Sequence, residues 1–438
     1  LDEPSIGLHP GDLDRLLAIL DRLREQGNTI LVVEHDGATI AASDHVIDLG
    51  PGGGRQGGQV VFAGPVSRLR EDPASLTGQY LSGRLRVRRP ARRRPQGARG
   101  IHLEGVTTHN LKDLSLFLPL GNLTVVTGVS GSGKSSLVAD TLHPLVLAEL
   151  RRGGGDHPAV RSFRMAGEPV RHVYFVDQTP VGRTPRSTPA TYTGVFDEIR
   201  RFYARLPEAQ ARGLTAGHFS FNLAAGRCQA CRGMGQVRVE MRFLPDSFLL
   251  CPQCQGARYQ PDLLRVRFQG RSIAEVLDLT VSEALELFLN FPAIRKRLQV
   301  LEETGLGYVR LGQPTPSLSG GEQERLKLGV QLLATPGQST LFLLDEPTTG
   351  LHFADVDRLC QLVHHLVDQG HSVVAIEHNL DFIQQADWIV DLGPGPGARG
   401  GQILYAGPLE GILDCPASLT GTFLRRHLKD VAPRSGRG

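Results

Sequence analysis

The chain has 438 residues, of which 40% are hydrophobic and 21% charged, and its formal net charge is +3 at pH 7. This length can bury at least two cores, and the composition is that of an ordinary globular protein. No apolar run approaches the roughly 20 residues that a membrane helix needs, which argues against an integral membrane protein.

The chain opens with one half of an internal repeat. Residues 1–81 match residues 344–424 at a constant offset of 343, and the matching segments are Asp2–His9 with Asp345–His352, Glu34-His35 with Glu377-His378, Asp48–Gly52 with Asp391–Gly395, and Ala74–Gly78 with Ala417–Gly421. Such self-similarity indicates a duplicated domain. We call residues 1–83 the first copy and the matching part of the chain the second copy.

The two copies predict the same elements. Helical periodicity covers residues 12–26 and 354–369, and each helix is followed by an apolar strand, at residues 29–33 and 372–376. Each strand delivers Glu-His at its C-terminal end, where open α/β sheets place ligand chemistry. Short strands are expected at residues 59–63 and 402–406.

Residues 84–100 differ in composition from both copies, because they are rich in arginine and broken by proline and glycine. This composition predicts a linker. A solvated tether is the favoured interpretation, and contact with nucleic-acid phosphates is the alternative.

A phosphate-binding loop follows, since residues 128–135 read Gly-Val-Ser-Gly-Ser-Gly-Lys-Ser and match G-x-x-x-x-G-K-[ST] without a mismatch. The apolar run 123–126 predicts the strand before the loop, and residues 136–141 predict the helix after it. Backbone N–H groups would converge on phosphate oxygens, Lys134 would reach the β and γ phosphates, and Ser135 would ligate Mg²⁺. The candidate ATP and Mg²⁺ residues here are Gly128, Ser130, Gly131, Ser132, Gly133, Lys134, Ser135 and Ser136.

Four of the six cysteines form two C-x-x-C pairs, Cys228/Cys231 and Cys251/Cys254. Four thiolates at this spacing favour a structural, tetrahedral zinc site over two disulfides and indicate a reducing compartment, from which we expect the cytoplasm. Apolar and charged residues alternate between the pairs and predict a strand. Arg238 and Arg242 on its outer face, and Arg183 and Arg186 in an upstream hydroxyl-rich loop, are candidates for DNA phosphate contacts. A solvated strand face is an equal alternative for Arg238 and Arg242.

The remaining parts of an ATP site lie near the C-terminus. The apolar run 341–344 ends in Asp345, which suits a Mg²⁺ shell, and Glu346, which suits polarisation of the attacking water. His378 fits a γ-phosphate contact. Asp2, Glu3 and His35 are the equivalent residues of the first copy. Ser319, Gly320, Gly321 and Glu322 open a helix and form a second anion site.

The order of these parts resembles that of ATP-binding-cassette proteins, in which the Ser319–Glu322 segment is the signature. The resemblance implies an α/β P-loop NTPase fold, nucleotide sandwiched between two units, and a role for Gln178 as the glutamine that senses Mg²⁺ and water. The expected domains are the first-unit remnant (1–83), the linker (84–100), the second unit's N-terminal part (101–180), a helical and zinc-binding insertion (181–310), the second unit's C-terminal part (311–428) and a tail (429–438).

Within this superfamily, the chain resembles the UvrA family of bacterial excision repair. The resemblance is carried by the C-x-x-C pairs and by the segments at 182–187, 219–222, 239–245, 318–322 and 344–352. It implies an ATPase that recognises DNA damage, binds double-stranded DNA as a homodimer and loads UvrB, whereas another component cuts the DNA.

Departures from the family pattern set further expectations. The first unit's phosphate loop and signature and the UvrB-binding insertion do not occur in these residues, and the first residue is not methionine, so we expect a C-terminal part of a longer protein. Such a chain alone should bind nucleotide weakly and hydrolyse little unless two copies pair. The alternatives are a UvrA-like paralogue for self-resistance or regulation, and the ATPase subunit of a membrane transporter.

Overall fold

The computed structural model describes residues 1–51, 57–90, 92–152, 158–167, 170–177, 179–182, 184–239, 247–334 and 339–430. The chain divides into two compact units, one built from residues 1–178 and 335–438 and the other from residues 179–334. The signature segment therefore groups with the insertion. Among the described residues, none of the helices combines the length and the apolar character needed to cross a bilayer.

The larger compact unit (residues 1–178 and 335–438) begins with the first copy, the linker and the phosphate loop. Its elements are α1 (Pro10–Glu25), α2 (Gly37–Ala42), β1 (His45–Gly50), β2 (Gln59–Pro65), α3 (Val66–Leu69), α4 (Leu76–Leu81), β3 (Gly100–Val106), β4 (Leu114–Pro119), β5 (Leu123–Gly128), α5 (Lys134–Leu137), a π-helical turn (Val138–Leu142), α6 (His143–Arg152), β6 (Ser162–Ala166) and β7 (His172–Val176).

The smaller compact unit (residues 179–334) is mainly helical. Its elements are α7 (Pro189–Tyr192), α8 (Val195–Ala204), α9 (Pro207–Ala211), β8 (Gln236–Val239), β9 (Ser247–Leu250), a 3₁₀ turn (Pro261–Arg265), α10 (Ile273–Leu277), α11 (Val281–Leu287), α12 (Pro292–Glu303), a 3₁₀ turn (Thr315–Ser317) and α13 (Gly320–Ala334). Its core includes Phe219 and Phe221, with the Tyr259 hydroxyl donating to the Phe219 carbonyl at 3.1 Å.

The chain then returns to the larger compact unit, where it forms β10 and the second copy of the repeat. The elements are β10 (Thr340–Asp345), α14 (Phe353–Asp368), β11 (Ser372–Ile376), α15 (Leu380–Ile383), β12 (Trp388–Gly393), a 3₁₀ turn (Gly397–Arg399), β13 (Gln402–Pro408), α16 (Leu409–Ile412) and α17 (Leu419–Asp430).

Strands β10 to β13 join β5 and β7 in a six-stranded sheet in the order β13-β12-β5-β11-β10-β7. All neighbours are parallel except β12 and β13. An antiparallel sheet, β4-β3-β6, shares its apolar core. Because β5 lies between β11 and β12, the phosphate loop and the ends of β10 and β11 meet at one edge of the sheet.

The first copy has a smaller sheet, and one strand prediction is wrong. Residues 29–33 do not form a strand; they contribute an isolated parallel bridge between Val33 and Asp2. In the second copy, the matching strand β11 pairs with β5 and β10. Among the described residues, the first copy has no counterpart of β5, and a strand without ladder partners is not stable.

The arginine-rich linker is bound to the second copy. Arg94 donates to Asp387 at 3.0 Å, Arg93 donates to the Gln384 carbonyl at 2.7 Å, and Arg89 donates to the Gln384 side chain at 2.7 Å. Asp387 is buried and also accepts from the N–H of Leu123, at the start of β5. The interpretation of this segment as a solvated tether is therefore wrong.

Candidate functional site

The phosphate loop connects β5 to α5 in the predicted order, and its backbone requires glycine. Gly128, Gly131 and Gly133 have φ values of 130°, 72° and 110°, in the region that other residues rarely adopt. A Cβ at Gly128 would collide with the carbonyl oxygen of Leu392, on the neighbouring strand β12. These glycines let the loop turn tightly beside β12.

Lys134 lies at the first position of α5 and is buried. Its ammonium donates to the carbonyl oxygens of Gly128 and Val129, both at 3.1 Å. Burial lowers the pKa of Lys134 to about 8, although the carboxylates of Glu346, Asp391 and Asp345 favour its charged form. A buried ammonium inside a loop of backbone amides suits an anionic ligand.

The serines of the loop have different environments. Ser130 and Ser135 are exposed and Ser132 is buried; its hydroxyl is a buried polar group without a hydrogen-bond partner. Ser136 is 3.2 Å from the Nδ1 atom of His109. The Ser132 hydroxyl and the exposed Ser135 hydroxyl could therefore bind a phosphate group of a ligand and its metal ion.

Asp345 and Glu346 lie at the end of β10. Burial and the neighbouring Glu346 raise the pKa of Asp345 to about 6, and a cation bound there would lower that pKa again. Glu346 has φ 48°, and its carboxylate is 3.6 Å from the Nε2 atom of His378. The backbone turn thus brings the predicted Glu346 and His378 together.

His378 follows β11 and is almost fully buried. Burial, followed by the charges of Lys134 and His9, pushes the pKa of His378 well below its usual value. A neutral imidazole beside Glu346 can donate or accept one hydrogen bond without adding charge. Gln178, the remaining predicted catalytic residue, lies outside the described residues.

The first copy repeats this pair. His35 Nε2 is 3.7 Å from the Glu3 carboxylate, and Glu3 has φ 43°. Asp2, which precedes Glu3, forms the bridge to Val33. The remnant therefore preserves the geometry of the acid–histidine pair.

Sequence reasoning missed the role of the glutamate before each histidine. The Glu377 carboxylate accepts the N–H groups of Thr348, His378 and Asn379 at 2.8–3.0 Å. Glu34 accepts from Ser5 and His35 in the same way. These glutamates join the turn after the acid to the turn after the histidine, and the repeated Glu-His dipeptide was the signal for them.

The signature opens α13 with a capping box. The N–H of Ser319 donates to the Glu322 carboxylate at 2.8 Å, and the N–H of Glu322 donates to the Ser319 hydroxyl at 3.3 Å. The Tyr308 hydroxyl also donates to Glu322 at 2.7 Å. Gly320 has open space around a would-be Cβ, and Gly321 lies in the first turn of the helix. Glu322 therefore holds the start of α13.

The four cysteines meet as predicted. Their sulfur atoms lie within 4.8 Å of one another, with 3.6 Å between Cys231 and Cys254 and 4.0 Å between Cys228 and Cys251. Zn–S bonds of about 2.3 Å in a tetrahedron place sulfur atoms about 3.8 Å apart. All four are free thiols. This donor set therefore fits zinc, and its four protein ligands leave no coordination position for catalysis.

The predicted DNA-contact residues are only partly described. Arg186 is half-buried and donates to the Arg232 carbonyl at 2.9 Å, which joins the upstream loop to the first cysteine knuckle. Arg238 lies in β8, but its side chain, like Arg183 and Arg242, is outside the described residues.

Known proteins are similar to this chain in sequence and in fold. The chain is 51% identical over 430 residues to UvrABC system protein A of Salmonella typhimurium, covering 98% of this chain and 46% of that protein. The Aquifex aeolicus protein of the same name is 50% identical, with coverage of 98% and 46%. The crystal structure of UvrA2 from Deinococcus radiodurans matches with a TM-score of 0.89 and 45% identity, covering 98% of this chain and 51% of that chain.

No protein-family model matches the chain. It spans about half the length of the curated relatives it matches. The similarity extends over 98% of the chain. Over nearly its whole length, the chain is therefore similar to about half of a UvrA protein.

Proposed function

We propose that the chain is the ATP-binding and DNA-binding part of a UvrA-type damage sensor for nucleotide-excision repair. The observation that carries the proposal is the junction of the Lys134 loop with the Glu346–His378 pair at one sheet edge, in a chain that also holds a four-cysteine centre. Double-stranded DNA, UvrB and a second copy of the protein are the proposed partners, and the cytoplasm is the proposed location.

At the nucleotide site, Lys134 and the loop amides bind the phosphates, assisted by Ser130, Ser132 and Ser136. Asp345 and Ser135 would hold Mg²⁺, which neutralises phosphate charge when bound. Glu346 orients the attacking water and accepts its proton, and the neutral His378 fixes the position of that carboxylate. Gln178 remains a proposed sensor of water and metal.

The cysteine centre would hold zinc in a structural role. It stiffens two knuckles whose backbones have positive φ at Arg232, Gly233, Gln255 and Gly256. The adjoining β8–β9 ribbon and the Arg186 loop carry the proposed phosphate contacts. Because phosphate contacts release counterions, each arginine should contribute to the salt dependence of DNA binding.

The DNA assignment is tested by Arg238→Glu with Arg242→Glu in the whole chain. We expect weaker duplex binding and a log K against log salt slope shallower by roughly two, because about 0.9 counterion is released per phosphate contact. Zinc content should stay at one ion per chain. Arg201→Glu is the matched control, since this exposed residue of α8 pairs with Glu198 on its own helix.

If affinity and slope do not change, the phosphate contacts are instead assigned to Arg183 and Arg186. Arg183→Glu with Arg186→Glu then tests that assignment. A chain with no measurable duplex affinity would contradict the proposed function. Survival of ultraviolet light by a repair-deficient strain carrying the full-length gene separates repair from a self-resistance role.

A further inference from the structure

Three repeated motifs have no part in the nucleotide chemistry described above. They are the histidine that ends Gly-Leu-His (His9 and His352), the aspartate of Asp-Leu-Gly-Pro-Gly (Asp48 and Asp391) and the threonine of Ser-Leu-Thr-Gly (Thr77 and Thr420). The structure brings these six residues into two clusters. Each cluster combines the histidine of one copy with the aspartate and threonine of the other.

The two clusters have matching geometry. His9 Nε2 is 3.1 Å from the Thr420 hydroxyl, which donates to Asp391 at 3.3 Å. His352 Nε2 is likewise 3.1 Å from the Thr77 hydroxyl, which donates to Asp48 at 3.0 Å. His9, Thr420 and Asp391 are all fully buried. Reciprocal contacts of this kind require both copies to be present.

The hydrogen bonds show which group donates and which accepts at each step of the His–Thr–Asp clusters. The Nδ1 atom of His9 accepts the N–H of Gly11 at 3.2 Å, and that of His352 accepts the N–H of Ala354 at 3.3 Å. Since Nδ1 accepts, the proton of the neutral ring is on Nε2, which donates to threonine, and threonine donates to aspartate. Burial also lowers the pKa of His9 to about 4, which keeps the ring neutral.

His9 reaches the nucleotide site of the second copy. Its ring contacts the His378 ring edge-to-face, with centroids 5.9 Å apart, and His378 adjoins Glu346. Gly7 lies against the same carboxylate, since a Cβ there would be 3.2 Å from Glu346 Oε2. Gly350 lies equally close to Glu3, with a would-be Cβ 3.1 Å from Glu3 Oε2.

We propose that His9 and His352 are exchanged positioning residues: each is fixed by the Asp–Thr pair of the opposite copy and holds that copy's acid–histidine pair in place. The segments 3–9 and 346–352 each carry a glutamate of their own copy's acid–histidine pair and a histidine that bonds to the other copy. This inference rests on the proposed nucleotide-binding function.

The test compares three variants of the whole chain. Thr420→Val removes the bridging hydroxyl at constant shape, and Thr420→Ser keeps a hydroxyl. Thr422→Val is the matched control, because the Thr422 hydroxyl donates to the carbonyl of Ser418, the residue before its own helix. Histidine ¹⁵N spectra, with His9 assigned through His9→Asn, report the ring proton and its exchange with water.

We expect a slowly exchanging Nε2 proton on His9 in the parent, in Thr420→Ser and in Thr422→Val. In Thr420→Val its exchange should be at least about tenfold faster, because its acceptor is lost. Single-turnover hydrolysis of MgATP should fall about tenfold in Thr420→Val, with ATP affinity within about twofold of the parent. Thr420→Ser and Thr422→Val should hydrolyse ATP at the parent rate.

A His9 proton on Nδ1 in the parent would overturn the inference, as would Thr420→Val matching Thr422→Val in exchange and hydrolysis. If Thr420→Val does not fold, the parent spectrum and Thr420→Ser still decide. Lys134→Ala separates the two proposals: equal ATP binding by that variant and the parent would contradict the nucleotide site, whereas the His9 spectrum tests the exchanged histidines independently.

Discussion

The environment of Lys134 explains why a lysine in this loop can be buried. Its ammonium is held by two carbonyl oxygens and feels the charge of four carboxylates, yet desolvation still lowers its pKa to about 8. The charged form is thus the minor form of the free site above about pH 8. Bound phosphates favour the charged form and raise the pKa of Lys134 again.

ATP affinity should therefore depend on pH above about pH 8. Below pH 8 Lys134 is already charged and affinity is constant; above pH 8 binding must take up a proton, so affinity falls by up to about tenfold per pH unit. Titrations with MgATP between pH 7 and 9.5 measure this. Lys134→Arg keeps its charge throughout, so its affinity should not vary over this range. A parent affinity that stays constant to pH 9.5 would contradict the assigned pKa.

At this scale, residues tied to a short motif were predictable and those tied to the tertiary structure were not. The spacing of glycines, Lys134 and Ser135 and the C-x-x-C pairs identified their positions directly. His9 and Asp391 looked like parts of a repeat, because nothing in the sequence shows that a histidine bonds to a residue 411 positions away. Their partners are set by how the two copies pack.

Among the elements, most predicted helices and strands are present within a few residues of their expected bounds. The exception, residues 29–33, has the apolar pattern of β11 but lacks the same neighbours. Leu31 and Leu49 are 77% and 64% exposed, whereas the matching Val374 and Leu392 are 2% and 0% exposed. The apolar pattern of a sequence shows which side chains a strand could bury. Whether those side chains are buried depends on the neighbouring strands in the fold.

This exposed apolar edge should bind an apolar dye. Leu31→Thr with Leu49→Thr should reduce anilinonaphthalene sulfonate fluorescence and change the free energy of unfolding by less than about 1 kcal/mol, because both side chains already contact water. Val374→Thr with Leu392→Thr, at the matching buried positions, should lower the free energy of unfolding by several kcal/mol. Dye fluorescence and urea unfolding measure the two effects. Equal destabilisation by both pairs would show that the first-copy edge is covered.

For the whole molecule, the repeat predicted two copies, but it did not predict that each would contribute a histidine to the other. The constant offset required only that the copies fold alike. Their packing also brings Gly7 to Glu346 and Gly350 to Glu3, so each copy contributes a glycine to the surroundings of the other copy's glutamate. The composition of the linker likewise did not reveal its binding to Asp387 and Gln384, because only the folded chain provides those acceptors.

The central claim is that the loop around Lys134 binds the triphosphate of ATP. Calorimetric titration of MgATP into the chain and into Lys134→Ala tests it most directly. We expect one site per chain in the parent and at least tenfold weaker binding in the variant, which is a loss of about 1.4 kcal/mol or more. Equal affinity in both proteins would contradict the claim.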